Sequence, residues 1–149
     1  EARSRMAYAS LISGICLANA GLGIVHGFAS SVGGYFDIPH GVVCGTLMGA
    51  STRINIEKLI ETSPKHIALK KYARVGRLFT SHRERDHTYY ARNLAQTIEK
   101  WTSDLNIPRL GEYGIKEEDF DRIINSTGNK NNPVKLGREE MRQILIERV

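Results

Sequence analysis

The chain has 149 residues, the length of one ordinary domain, and its hydrophobic fraction of 41% is large enough to form a buried core. Charged residues make up 25%, which is typical of a soluble protein and excludes a disordered tail. The net charge of +5 is mildly basic, but Lys and Arg are interleaved with Asp and Glu along the chain. Because nucleic-acid binders concentrate their positive charge in one patch, composition argues against a nucleic-acid partner.

The first segment of interest is residues 6 to 25, which carry no charge over the length of a membrane span. Arg3 and Arg5 precede it, and Ala18-Asn19-Ala20 resembles a signal-peptidase site, so a membrane anchor or signal peptide is an alternative. The serines and Asn19 favour instead a helix buried at the centre of a larger domain. The chain also begins at Glu1 with no helix-start signal, which predicts that it is part of a longer protein.

Apolar spacing and chain breakers predict an all-α fold of six or seven helices in one domain, residues 1–149. No run of period-two alternation indicates a sheet, and Gly21-Leu22-Gly23 follows a helix, so it is not a dinucleotide-binding fingerprint. The predicted helices, in chain order, are 2–20, about 25–32 ended by Gly33-Gly34, Gly41 to Ile60 after Pro39, 65–79 opened by Ser63-Pro64, 87–104 ended before Pro108, Lys116 to Asn125, and Arg138 to Val149.

The two cysteines, Cys16 and Cys44, both lie in apolar, helical stretches. A disulfide framework in a chain of this length would show more cysteines, and neither residue has a CxxC partner. The pattern predicts two buried thiols in a reducing, cytoplasmic compartment.

Residues 21–41, GLGIVHGFASSVGGYFDIPHG, contain His26 and His40, each followed by a glycine. A helix, a turn and the start of the next helix can bring the two imidazoles together, and imidazole nitrogens are common ligands of zinc and iron. Two histidines make half a metal site, so the alternative is a pair of buried, hydrogen-bonded structural histidines. His82 and Asp86 are four residues apart on a predicted helix and could complete the site, but their charged surroundings favour a solvated face.

The stretch ARSRMAYASLISGICLANAGLGIVHGFASSVGGYFDIPHGVVCG closely resembles the metal-binding region of iron-containing (group III) alcohol dehydrogenases. The resemblance covers essentially the whole chain. The paired VHG and PHG motifs are its most specific part, and the short gap between their histidines favours this branch over glycerol dehydrogenases and dehydroquinate synthases. Weaker landmarks follow in the family's order: Leu105 to Leu110, Tyr113-Gly114-Ile115, Glu117-Glu118-Asp119 and Asn132-Pro133.

The resemblance implies that the chain is a C-terminal helical metal-binding domain whose N-terminal Rossmann-like partner domain binds NAD or NADP. His26 and His40 map onto two ligands of one divalent metal, with Fe²⁺ favoured and Zn²⁺ as the alternative. The family takes its other two ligands, an Asp and a His four residues apart, from an upstream helix, and no Asp-x-x-x-His occurs here. The resemblance therefore implies a divided metal site and an inactive isolated chain.

The implied reaction interconverts small alcohols with aldehydes or ketones, the metal acting as a Lewis acid and the nicotinamide exchanging hydride. Many relatives carry a further histidine, close to the nicotinamide, four residues after the first ligand. Ser30 occupies that position, which makes it the candidate cofactor-binding residue, with a plain surface serine as the alternative. Tyr35 and Phe36 lie between the ligands and either line the substrate pocket or belong to the core.

The competing functional hypothesis is a non-catalytic helical interaction domain in which both histidines are structural. Family members commonly form homodimers. An apolar patch left by an absent domain would also encourage association.

Overall fold

The structure is a computed structural model that describes all 149 residues, and it contains no β-strand. The all-α prediction is confirmed. The seven α-helices are α1 Ala2–Ala20, α2 Ile24–Tyr35, α3 His40–Thr62, α4 Ile67–Gly76, α5 His87–Asp104, α6 Phe120–Ser126 and α7 Arg138–Ile146. Three short 3-10 turns, Arg77–Phe79, Leu110–Tyr113 and Glu117–Asp119, complete the regular structure.

The main core lies where α2, α3, α6 and α7 meet. Ile24, Phe28 and Val32 are spaced four apart, so they lie on one face of α2, and all three are fully buried. Val43 and Leu47 do the same on α3. Since these two stripes pack into one cluster, the rotation of both helices about their axes is fixed, and so is the direction in which their remaining side chains point.

A second, smaller core packs α4 and α5 against the middle of α3. It is built largely from small residues and one aromatic ring: Ile56, Leu69, Ala73, Tyr90, Ala91 and Ala95. On its solvent side the Arg92 guanidinium binds the Glu57 carboxylate through two hydrogen bonds of 2.8 and 2.7 Å. This core contacts α3 around Ile56, beyond the first turns of the helix, which pack in the main core.

Helix α1 differs from the others because none of its 19 residues is buried. The sequence favoured a helix buried at the centre of a larger domain; within the described chain no other element covers α1, so its burial stays a prediction. No single helix is both long and apolar enough to cross a bilayer; only α1 and α2 taken together pass that test, and their axes are bent by 92°. In that pair, the apolar face of α2 is buried in the main core.

Two predicted helix boundaries are wrong for local reasons. Gly33 and Gly34 do not break α2, which continues to Tyr35, because helical backbone is open to glycine at a modest cost. The break falls at 36–39 instead, just before and at Pro39, since Pro disfavours helical backbone in the residue before it. The next helix opens at Ile67 instead of at Ser63-Pro64, with the His66 side chain accepting a hydrogen bond from the Ala68 amide.

Residues 82–86 form an exposed irregular segment and not a helix face. Helix α5 begins at His87 because the Asp86 carboxylate caps it, accepting a hydrogen bond of 2.8 Å from the Tyr89 amide. The sequence suggested that His82 and Asp86 share a helix face. The structure contradicts this, because the residues before His87 are not helical. The predicted span of α5, 87–104, is confirmed.

Candidate metal centre

His26 lies in the first turn of α2, whose start is held by an asparagine pair. The Asn132 side-chain oxygen accepts a hydrogen bond of 3.2 Å from the Ile24 amide, which lacks a partner within the helix. The Asn132 amide nitrogen donates to Asn55 on α3 at 2.6 Å, and Asn55 is buried. The loop between α6 and α7 thus ties the beginning of α2 to α3 and positions the His26 backbone.

Gly27 places the same turn of α2 directly against the loop after α6. A Cβ at this position would lie 2.0 Å from the Gly128 carbonyl oxygen, so only glycine permits the approach. One turn later, the buried Ser31 hydroxyl contacts the Thr127 hydroxyl at 2.9 Å. Tyr35 adds a hydroxyl contact of 2.7 Å with Ser126. These contacts fix α2 along its length and leave His26 half-buried on the opposite side.

His40 is the first residue of α3 and follows Pro39, whose fixed backbone angle suits a helix start. It is exposed, whereas Cys44, one helical turn further on, is half-buried. Residues four apart on a helix share a face, so the imidazole and the thiol point the same way.

The two histidines and Cys44 converge on one point. His26 Nδ1 lies 3.2 Å from His40 Nε2, and the ring centroids are 5.2 Å apart. The Cys44 Sγ lies 3.4 Å from His40 Nε2 and 3.8 Å from His26 Nδ1. All three donor atoms lie within 4.8 Å of one another. Two ring nitrogens that bind one tetrahedral metal at 2.0–2.1 Å lie roughly 3.4 Å apart, so the imidazole pair fits a shared divalent ion.

The prediction of two buried thiols is wrong for Cys16 and only partly met by Cys44. Cys16 is exposed on α1, whereas Cys44 is half-buried, and neither forms a disulfide. Partial burial raises the pKa of the Cys44 thiol. Sequence reasoning missed the proximity of Cys44 to the histidines, although the His40–Cys44 spacing of one helical turn was a signal that could have found it.

The remaining residues that the sequence suggested for the site lie at different distances from the two histidines. Ser30 lies one turn after His26 on α2 and is exposed, while its neighbour Ser31 is buried. Phe36 packs partly against the main core, and the exposed Tyr35 ring lies 5.1 Å from the Arg122 guanidinium carbon. His82 is not part of the donor group that contains His26 and His40.

Comparison with known proteins assigns the chain to a family. The profile of the Fe-containing alcohol dehydrogenase family, C-terminal, matches residues 1–149, so the chain belongs to this family. It is 33% identical to 1,3-propanediol dehydrogenase of Citrobacter freundii, covering 97% of this chain and 36% of that protein. It is 29% identical to NADPH-dependent butanol dehydrogenase of Clostridium saccharobutylicum, with 97% and 37% covered.

Solved structures agree on the fold. The alcohol dehydrogenase from Oenococcus oeni superposes with a TM-score of 0.82 at 28% identity, over 99% of this chain and 38% of that one. The chain thus spans about a third of the length of the curated relatives that it matches. The predicted family and C-terminal helical architecture are confirmed.

Proposed function

We propose that this chain supplies the metal-binding side of the active-site cleft in a dehydrogenase that interconverts alcohols with aldehydes or ketones using NAD or NADP. The observation that carries the proposal is the approach of His26 Nδ1 and His40 Nε2 to 3.2 Å in a member of the iron-containing family. Two otherwise unrelated helix starts are needed to bring these nitrogens together. The hydrogen bonds and close contacts at the start of α2 hold the His26 backbone in place.

In this proposal His26 and His40 are ligands of a divalent metal, with Fe²⁺ favoured by the family and Zn²⁺ as the alternative. When bound, the metal supplies Lewis acidity that lowers the pKa of an alcohol hydroxyl. The residues of this chain hold and orient it: the Asn132–Asn55 pair and Gly27 fix the backbone beside His26, and Pro39 starts the helix that carries His40. The exposed side of His40 is the side from which substrate and further ligands can approach.

We expect most of the nucleotide-binding contacts to come from a part of the enzyme other than these 149 residues, which form no sheet. Ser30 is the proposed nucleotide contact here, because it is exposed one turn from His26 and so shares the face of α2 that carries the metal ligand. A hydroxyl can hydrogen-bond but does not exchange a proton near neutral pH as an imidazole does. Ser30 would therefore position the nicotinamide end and not relay protons.

Small alcohols and aldehydes are the proposed substrates, by analogy with the propanediol and butanol dehydrogenases to which the chain is similar. A reducing cytoplasmic location is part of the proposal, because Cys16 is an exposed thiol and Cys44 a free one. Homodimer formation stays a prediction that sedimentation can test. Neither a membrane nor a nucleic acid is required.

The proposal can be tested in a chimera that joins the N-terminal part of Citrobacter freundii 1,3-propanediol dehydrogenase to this chain. We expect the purified chimera to contain about one metal per chain and to oxidise short alcohols with NAD or NADP. His26→Ala and His40→Ala should each abolish activity and greatly weaken metal binding, because each variant loses one of the nitrogen donors that hold the metal in place. Helical content and the unfolding midpoint are recorded for every variant.

Two outcomes would contradict the proposal. A folded chimera that binds nucleotide but neither holds metal nor oxidises any short alcohol would exclude the dehydrogenase role. Histidine variants that lose stability while keeping metal and activity would identify His26 and His40 as structural residues. His66→Ala is the matched control, since His66 caps α4 and is not part of the donor group.

A further inference from the structure

We infer that Cys44 is a third metal ligand, so that this chain alone provides a His-His-Cys site with an open fourth position. The inference rests on the proposed function for the two histidines as ligands. It goes beyond that function in assigning a thiolate to the site and in expecting metal binding by the chain without any other domain.

The spacing of the three donor atoms is the first argument. Tetrahedral zinc with bond lengths of about 2.0–2.1 Å to nitrogen and about 2.3 Å to sulfur places a nitrogen and a sulfur roughly 3.5–3.6 Å apart. The Cys44 Sγ lies 3.4 Å from His40 Nε2 and 3.8 Å from His26 Nδ1. These two distances bracket the tetrahedral value, and the nitrogen–nitrogen distance of 3.2 Å agrees with it as well.

The orientation of α3 is the second argument. Val43 and Leu47 are completely buried, and they fix the rotation of α3 against the main core. This rotation leaves His40 and Cys44 on an adjacent face, directed at His26 on α2. The thiol is half-buried, so it approaches the imidazoles from the protein side, while the exposed His40 marks the solvent side. Three protein donors on one side and solvent on the other is the arrangement of an open, catalytic type of metal site.

The chemistry of binding is a simple exchange of proton for metal. The Cys44 S–H bond breaks, its proton passes to solvent, and the sulfur lone pair forms the bond to the divalent ion. No oxidation or reduction takes place. Because thiolate is a soft ligand, it strengthens binding of zinc more than binding of iron. With Cys44 as a ligand, the site is therefore expected to prefer Zn²⁺, the alternative metal in the proposed function, over the Fe²⁺ that the family favours.

Cobalt(II) provides a direct readout, because a thiolate bound to cobalt gives an intense near-ultraviolet charge-transfer band that imidazole ligands do not. The 149-residue chain is titrated with Co²⁺ under anaerobic conditions, and the bound Co²⁺ is then displaced with Zn²⁺. The wild type and Cys16→Ser, the matched control on α1, should show the band. Cys44→Ser should lack it and bind Zn²⁺ roughly 10- to 100-fold more weakly, since even residues that only orient a ligand change affinity by that factor.

His26→Ala and Cys44→Ala, with helical content measured by circular dichroism, separate loss of a ligand from loss of fold. Cobalt binding that disappears in His26→Ala, gives no thiolate band, and is equally tight in Cys44→Ser would overturn the role of Cys44 while supporting the two histidines. No cobalt binding by the folded wild type would also overturn a three-ligand site within the chain. In that case the chimera, with its added ligands, still decides the proposed dehydrogenase function separately.

Discussion

Helices α1 and α3 have similar lengths and similarly apolar sequences, yet their environments are opposite. α3 has 23 residues and buries ten of them, including Leu47, Ile54 and Leu59. α1 has 19 residues and buries none, so Leu11 and Ile15 remain exposed along with the rest of the helix. The difference shows that an apolar sequence does not by itself bury a helix, because burial also requires neighbouring elements to pack against it.

The consequence for stability follows from the weakness of isolated helices. Most of the stability of a helix in a protein comes from packing of its apolar face against other elements, and α1 buries none of its residues. α1 has only local support, such as the exposed ion pair between Glu1 and Arg5. We therefore expect the described chain to behave as a stable body, α2 to α7, with a separately unfolding first helix.

The largest expected effect is the contrast between Leu47→Ala and Leu11→Ala. Leu47 is 0% exposed in the main core, so its truncation should lower the free energy of unfolding by about 2–5 kcal/mol. Leu11 is 61% exposed, so the same change should cost less than about 0.5 kcal/mol. Urea unfolding followed by tryptophan fluorescence and circular dichroism measures both. Equal losses for the two variants would mean that α1 is covered in solution, for example by a second copy of the chain.

An intermediate effect is expected from two of the three glycines of α2, the helix that follows α1. Gly27→Ala should destabilise the chain by about 1–3 kcal/mol, because the new Cβ meets the Gly128 carbonyl oxygen and the backbone must shift. Gly33→Ala has nothing within 4 Å of the added Cβ and should stabilise the helix by about 0.5–1 kcal/mol.

The same pair sharpens the assignment of the metal centre. Because the shift in Gly27→Ala also moves His26, cobalt affinity should fall in this variant and stay unchanged in Gly33→Ala. A Gly27→Ala protein as stable as wild type would show that α2 does not press against the loop after α6. In that case α2 would be held less firmly against the core than its contacts indicate.

The smallest effect concerns charge pairs in the two regions. Lys58 on α3 lies 2.8 Å from Glu140 on α7, and the hydrogen bond from Lys58 holds the pKa of the Glu140 carboxyl below its usual value. Since the pKa of Glu140 is lowered in the folded state, the pair's contribution to the free energy of unfolding is fully present above the pKa of an unfolded Glu, about 4.3. It is lost as pH falls below that value and through the folded pKa.

We therefore expect Glu140→Gln to lower the free energy of unfolding by up to about 1 kcal/mol at pH 7, and we expect the difference from wild type to shrink as the pH falls through the lowered pKa of Glu140. Glu1→Gln is the matched control, because the Glu1–Arg5 pair is exposed on α1 and should contribute nothing measurable. Thermal unfolding at several pH values decides the matter. A Glu140→Gln difference that does not change with pH would point to packing and not to charge.

Prediction from sequence succeeded where local rules were strong. The span of α5 followed from apolar spacing, and the pairing of His26 with His40 followed from the helix starts that surround them. It failed where two local signals competed. Ser63-Pro64 looked like a cap, but the His66 side chain provides it, and the charged run at 82–86 forms a loop because Asp86 caps the next helix.

The sequence alone determined the all-α class, the family and the proximity of His26 to His40, because helical periodicity, breakers and paired motifs are local properties of the chain. Three features depended on tertiary structure: the exposure of α1, the contact between Gly27 and Gly128, and the convergence of Cys44 with the histidines. Each depends on residues far apart in sequence or on the rotation of a helix against its neighbours. Packing of the whole set of side chains decides such features. The spacing of one helical turn places Cys44 on the same face as His40, but only the packing of α2 against α3 brings His26 to them.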